Sequence, residues 1–307
     1  MKGVEEKIEE LLSDTETLKK LLLLEKTRRG VPKESLVFVG MANIAQYYWC
    51  AMQAVLKSRA NELLFFASYL YDRISYSHRL GLISKLPGTK EALLDIGTKI
   101  TFDDVQKLLR EKATRGEHIS FEYAAAKQLD KHSKLVMVIN PDLPLEQRLC
   151  FEAEAKAEGV RIANPEEFPI LRGEFLHTTK AEHYPTIRWN FERGRYAIVG
   201  VPDGITDTFV YEFKTCGNKY LMYFIKPVAL TQADLYGYFF KRSKKRVQIY
   251  VVAEGLTQTW EDEVDKDKAE SVLADFTRVD GGWIPPAPKS WKCKSCEFNQ
   301  SCSIRPR

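Results

Sequence analysis

The chain has no run of about eighteen consecutive apolar residues, so no stretch of it is long enough to cross a bilayer as a helix. It opens on MKGVEEKIEELLSDTETLKKLLLLEK, where acidic and basic residues mix from the start and the apolar run Leu21 to Leu24 is too short for a secretory signal. A cytoplasmic protein with no membrane partner is expected. The phosphate-cradling pattern G-x-x-x-x-G-K-[ST] is missing, which excludes an ATP motor of that type and gives no reason to expect a nucleotide cofactor. Charge of one sign is missing too: 46 Lys and Arg stand against 42 Asp and Glu, a net of +4, so attraction to a polyanion must come from local clustering. No internal repeat is evident. Cysteines number only six in 307 residues, and in a reducing compartment they are expected as thiols or metal ligands rather than disulfides.

What is present is a globular composition, 44% hydrophobic, enough to fill the core of one large domain or two modest ones. Val4, Ile8, Leu11, Leu12, Leu18, Leu21 and Leu22 predict one amphipathic helix over residues 4 to 28, closed by Thr27 to Gly30 and followed by Pro32. From Ala42 to about Leu70 a nearly breaker-free stretch predicts one long or two short buried helices and contains Cys50. Residues 71–169 read as an inserted α/β module: a turn at Pro87-Gly88, a helix after the cap Thr101-Phe102-Asp103-Asp104, a strand from Lys134 to Ile139 and a helix from Leu145 to Glu158. The division expected is thus a helical N-terminal region at 1–70, the module at 71–169, a core at 170–290 and a Cys-rich tail at 291–307.

The core carries the chemistry. A short helix from Gly173 to Lys180 precedes two β-rich runs, Arg195 to Val201 and Thr208 to Lys214, joined by Pro202, Asp203 and Gly204, which predicts a hairpin. A helix from about Leu230 to Lys241, a strand from Val247 to Ala253 and a polar helix from about Asp265 to Thr277 follow, giving an α/β core with a mixed central sheet flanked by helices. In VGVPDGITDTFVYEFKT, alternation points Glu212 and Lys214 to one face, and the turn brings Asp203 alongside. Two carboxylates make a hard oxygen site suited to Mg²⁺ or Mn²⁺. Such an ion polarises a phosphodiester oxygen, while a lysine orients water or offsets developing charge. His177 on the preceding helix is a further candidate ligand. Gln232 and Tyr236 form an i, i+4 pair available to a phosphate backbone or to Lys214.

In this order G-x-x-x-H, P-D-G, E-F-K and Q-x-x-x-Y resemble the PD-(D/E)XK nuclease superfamily, a restriction-endonuclease-like fold, and specifically its RecB-like branch, over about residues 173 to 254. The resemblance implies that His177, Asp203, Glu212 and the backbone carbonyl of Phe213 are metal ligands. It also implies that Lys214 is the catalytic lysine and that Gln232 and Tyr236 support DNA binding or catalysis.

Cys293-x2-Cys296-x5-Cys302 supplies three thiols and needs a fourth for a tetrahedral site or a cubane cluster. Cys50 is the first candidate, because its setting resembles the lone early cysteine of iron–sulfur RecB-like nucleases, in which one early and three late cysteines hold a [4Fe-4S] cluster. Spacing alone leaves zinc open. Cys150 competes, being nearer to Gly173, although a buried free thiol in an Ala/Glu helix is the plainer reading. Cys216 is expected to pack beside the active-site strand. The run Lys241-Arg-Ser-Lys-Lys-Arg246 reads either as a phosphate track or as a solvated helix end. Trp189 and Phe191 are candidates for base stacking or for the core, and Glu261 to Lys268 reads as charged surface.

Together these features resemble the CRISPR-associated RecB-like exonuclease family, the fourth of the Cas proteins, and also the nuclease domains of AddB-type repair enzymes. That resemblance implies Mg²⁺- or Mn²⁺-dependent 5′ to 3′ cleavage of single-stranded DNA, with spacer-integration proteins as partners. The stretch between Cys50 and Gly173 is longer than the family's. A stand-alone repair nuclease and a non-catalytic iron–sulfur DNA-binding protein are the alternatives.

Overall fold

Asp14 sets the first departure from that reading. In the computed structural model, which describes residues 4–29, 36–96, 100–115 and 124–304, its side chain accepts from the N–H groups of Glu16 and Thr17. That caps a second helix where one continuous helix was expected. The pair is α1 (Val4–Ser13) and α2 (Thr15–Arg28). Ile8, Leu18 and Leu21 bury against Phe66, Tyr69, Leu70 and Ile74. Gly30 and Pro32, and the side chains of Val4 and Leu11, lie outside the described residues.

The breaker-free stretch is also divided more finely than expected. After β1 (Val37–Gly40) come α3 (Met41–Ala45), α4 (Ala51–Ala60) and α5 (Glu62–Arg79). Cys50 is in an extended conformation, φ −160° and ψ 114°, as the N-cap of α4. α6 (Lys90–Ile96) joins the core of the first helices, and α7 (Phe102–Arg115) sends Val105 and Leu109 into the main core. α7 starts with a reciprocal cap: the Asp104 N–H donates to Thr101 Oγ1, and the Thr101 N–H donates to Asp104 Oδ2. A division at residue 70 therefore falls inside α5. The segment with its own sheet is narrower than 71–169: β2 (Ala125–Leu129), β3 (Leu135–Ile139), α8 (Leu145–Ala157) and β4 (Arg161–Ala163), in the order β2-β3-β4. Val136, Val138 and Ala163 dock this sheet on Leu171 and Phe175 of α9 (Pro169–Lys180).

The core is mixed α/β, as expected, with two mixed ladders among its described residues. β5 (Trp189–Arg193) and β6 (Tyr196–Gly200) pair antiparallel, and β1 lies parallel to β6. The second ladder runs β10-β9-β8-β7, from β7 (Gly204–Ile205), β8 (Phe209–Cys216), β9 (Lys244–Val251) and β10 (Leu256–Glu263). The expected hairpin between β6 and β8 is not formed. Pro202 has no N–H to offer a ladder, and β6 pairs with β1 and β5 instead, so β8 turns back only on the two residues of β7. α10 (Lys219–Phe240) covers β8 and β9, longer than expected because it continues through Pro227. α11 (Lys266–Asp280) packs on α10, and α12 (Ser290–Lys294) carries the tail. Glu261 is surface, as expected, but belongs to an exposed edge strand whose charges discourage further pairing.

Candidate active site and cysteine cavity

Because β7 begins at Gly204, opposite Tyr211, the edge of β8 beyond Tyr211 has a free backbone donor. Asp203 takes it: Oδ2 accepts from the Phe213 N–H at 2.7 Å. Its other oxygen stands 3.2 Å from His177 Nε2. The Thr186 hydroxyl donates to the Pro202 carbonyl, anchoring the residue before Asp203. On β8, Glu212 and Lys214 share the face on which Val210 and Cys216 enter the main core, while Tyr211 and Phe213 face Ala181 and Tyr184. Asp203 lies between these faces at the strand edge and reaches both, and His177 comes in from α9.

Glu212 is 0% exposed, and the Lys214 ammonium is its charged partner. Burial pushes its carboxyl up to about 8, and Asp203 adds to that while Lys214 opposes it. Burial pulls the Lys214 ammonium down, but Glu212 and Asp203 outweigh it, so its pKa is raised. A buried carboxylate with a second carboxylate nearby is costly to keep ionised unless cations offset both charges. The donor set of two carboxylates and an imidazole therefore fits a hard divalent ion. Among the described residues, however, no three His, Cys, Asp or Glu side chains stand grouped as a metal ion would hold them.

The site opens on a cleft of about 380 Å³ lined by Gly173, Glu174, His177, Asp203, Phe213 and Lys214. α9 comes close to β8 there, and a Cβ on Gly173 would lie 2.9 Å from Thr215 Oγ1. Sequence reasoning missed Glu174, one helical turn before His177, whose carboxyl is raised by burial. The i, i+3 spacing in G-E-F-L-H was the available signal.

Gln232 and Tyr236 require a correction. Both are buried, so neither reaches a phosphate backbone. Gln232 Nε2 donates to the Tyr236 hydroxyl at 3.0 Å, and that hydroxyl also takes the Val201 N–H. The pair braces the turn that carries Asp203. Within the basic run three cations are committed inside the fold, while Lys241 and Lys244 are exposed. Arg242 donates to the Thr206 and Phe240 carbonyls, Lys245 pairs with Asp234, and Arg246 pairs with Glu182 and Glu261. Trp189 is buried, with Arg73 over its ring, and Phe191 packs on Phe102, Phe239 and Phe240. Both belong to the core and not to a stacking surface.

Cys50, Cys293, Cys296 and Cys302 line one cavity, and all are free thiols. Cys150 is exposed on α8 and not buried as expected, and Cys216 is buried on β8; neither lines that cavity. The Lys292 ammonium donates to the Trp49 carbonyl at 2.8 Å and sits 4.4 Å from the Trp49 ring, joining the tail to the segment before α4. The four thiols supply the donor set of a tetrathiolate site, but, like the carboxylates, they do not stand grouped as a metal ion would hold them.

No family model matches the chain, and no curated protein matches it significantly. Among solved structures, that of the protein SSO0001 is similar at a TM-score of 0.35 and 17% identity, over 66% of this chain and 98% of that one. The alkaline exonuclease LHK-Exo from Laribacter hongkongensis is similar at a TM-score of 0.21 and 17% identity, over 46% and 86%.

Proposed function

We propose that the chain is a divalent-metal-dependent DNA nuclease of the PD-(D/E)XK type. The observation that carries this reading is Glu212, a wholly buried carboxylate paired with Lys214 and set beside Asp203, with Asp203 and Lys214 lining an open cleft. A structural ion pair needs no second carboxylate raising its own partner's pKa, whereas a cation site does.

His177, Asp203, Glu212 and the Phe213 carbonyl are the groups that would hold Mg²⁺ or Mn²⁺. When bound, such an ion polarises a phosphodiester oxygen and lowers the pKa of a coordinated water. Lys214 orients the attacking water and offsets negative charge as the bond from phosphorus to the leaving oxygen breaks. Asp203 keeps its place through the Phe213 N–H, and Tyr236 and Gln232 hold the turn from behind. Cys50, Cys293, Cys296 and Cys302 are the residues that would hold a [4Fe-4S] cluster, which would close the chain on itself rather than take part in hydrolysis.

The finer reading follows the sequence resemblance: a single-stranded DNA exonuclease of 5′ to 3′ polarity that trims spacer precursors beside CRISPR spacer-integration proteins. The test is incubation of end-labelled single- and double-stranded DNA with Mn²⁺, Mg²⁺ or EDTA. Metal-dependent shortening from the 5′ end of single strands is expected. Intact DNA in every metal would overturn the proposal, and cutting of duplex alone would overturn the substrate assignment.

A further inference from the structure

The first turns of α10 carry large aromatic side chains that the described fold leaves in solvent. Tyr220 is 58% exposed and Tyr223 is 75% exposed, although the later turns of the same helix are buried. Three residues apart, they share one side of the helix. A single exposed apolar residue needs no partner. These two, however, extend an aromatic cluster that joins α10 to the tail. The Tyr220 ring centroid lies 5.3 Å from that of Phe224 and 6.2 Å from that of Trp291 on α12, and Phe224 and Trp291 are 5.2 Å apart. Tyr220 is thus braced from beneath while more than half of its surface stays open.

Lysines border this surface. Lys219 precedes Tyr223 by four residues and Lys226 follows it by three, so both flank it on α10. The Lys289 ammonium stands 4.9 Å from the Phe224 ring and that of Lys226 stands 4.4 Å from the Trp260 ring. Among the described residues none of the three lysines is in an ion pair. Open aromatic rings among uncommitted ammonium groups suit a single-stranded nucleic acid, whose bases stack on rings while its phosphates follow the cations. The position agrees with that chemistry. β8 leads from Lys214 directly toward α10: Thr215 lines the catalytic cleft, and Tyr220 follows five residues later, at most about 18 Å along the chain.

We infer that Tyr220 and Tyr223 stack bases of the strand whose scissile phosphate lies at Asp203 and Lys214, with Lys219, Lys226 and Lys289 meeting its phosphates. The inference rests on the nuclease reading and adds a source of preference for single strands, because a base in a duplex keeps its faces covered by its neighbours.

The test uses the full chain, its Tyr220→Ala/Tyr223→Ala variant, the milder Tyr223→Ala, and the conservative Tyr220→Phe/Tyr223→Phe, with circular dichroism to check folding. Fluorescence anisotropy in EDTA compares an oligothymidylate with an abasic strand of the same length, which keeps the phosphates and lacks the bases. The parent is expected to prefer the oligothymidylate, and the double alanine variant to lose about tenfold or more in affinity for it while binding the abasic strand as the parent does. The salt slope should stay the same, because no charge is removed. Tyr223→Ala should show part of the loss, and the phenylalanine variant should keep parent affinity. Equal binding of the oligothymidylate by parent and alanine variants overturns the inference, and so does an equal loss on both strands. Size-exclusion chromatography supplies a further arm: a parent dimer that the alanine variant dissolves would give this surface to a second copy of the chain and overturn the inference. A parent that shows the base preference but cuts no DNA in Mn²⁺ upholds the stacking surface while the nuclease reading falls. A parent that cuts DNA and shows no base preference does the reverse.

Discussion

Glu212 costs the folded chain energy, and the sign of that cost is testable. Its carboxyl sits at about 8 in the folded protein against 4.5 without burial. Between those values the folded protein keeps a proton that the unfolded chain has lost, so stability falls as pH rises through the window and is lowest above about 8. The cost is on the order of a few kcal/mol. Thermal unfolding of metal-free protein is therefore expected at lower temperature at pH 8 than at pH 5, with Mn²⁺ restoring much of the loss at pH 8. The Glu212→Gln variant is expected to show a flatter profile and no Mn²⁺ response. Identical profiles for parent and variant would show that the carboxylate is not carrying this cost. At the same scale, Tyr236→Phe removes the hydroxyl that holds Gln232 and the Val201 N–H, and is expected to cost about 1–2 kcal/mol of stability. Cleavage should fall with it. Affinity for DNA and its salt dependence should not change, and a drop in either would restore the DNA-contacting role that burial denies it. Asp203, Glu212 and Lys214 were legible as a group because a turn and strand alternation fix their relation within a dozen residues. Glu174 was not, since a lone glutamate on a helix shows its cleft only once α9 is docked.

Among elements, the approach of α9 to β8 decides whether His177 faces Asp203. Gly173 permits that approach, and Thr215 Oγ1 is the atom in the way of anything larger. Gly173→Ala is expected to destabilise by about 1–3 kcal/mol and to slow cleavage. Thr215→Ala in the same chain should recover most of both, because it clears the space. Additive losses in a double-mutant cycle would contradict the close approach. Elements with local signals were readable in sequence: the Thr101/Asp104 cap of α7, the strand at β3 and the helix at α8. The β6–β8 hairpin was misread because its turn residues are real but its partners are distant. β1, from the far N-terminal side, takes the edge of β6 that a hairpin would have used. β1, β2 and β4 carry little alternation of their own and exist through their neighbours.

Across the whole molecule, the cysteine cavity joins Cys50 to a tail that begins again at Cys293, a closure spanning more than two hundred residues. A metal site there restricts the unfolded ensemble even though closure entropy grows only logarithmically with length. If the proposed cluster is held there, Cys50→Ser is expected to lower the unfolding temperature by several degrees, to abolish metal loading and to expose the segment before α12 to protease. Cys150→Ser, on the exposed face of α8, should do none of these. The three late cysteines were legible by their spacing, whereas Cys50 lies far away in sequence and meets them only in the fold.

The strand edge at Phe213 is where the whole reading can be checked in a single comparison: parent and Lys214→Ala proteins assayed side by side with labelled single-stranded DNA and Mn²⁺. The account predicts that the variant binds the strand with near-parent affinity and leaves it uncut. Cutting at the parent rate would contradict it.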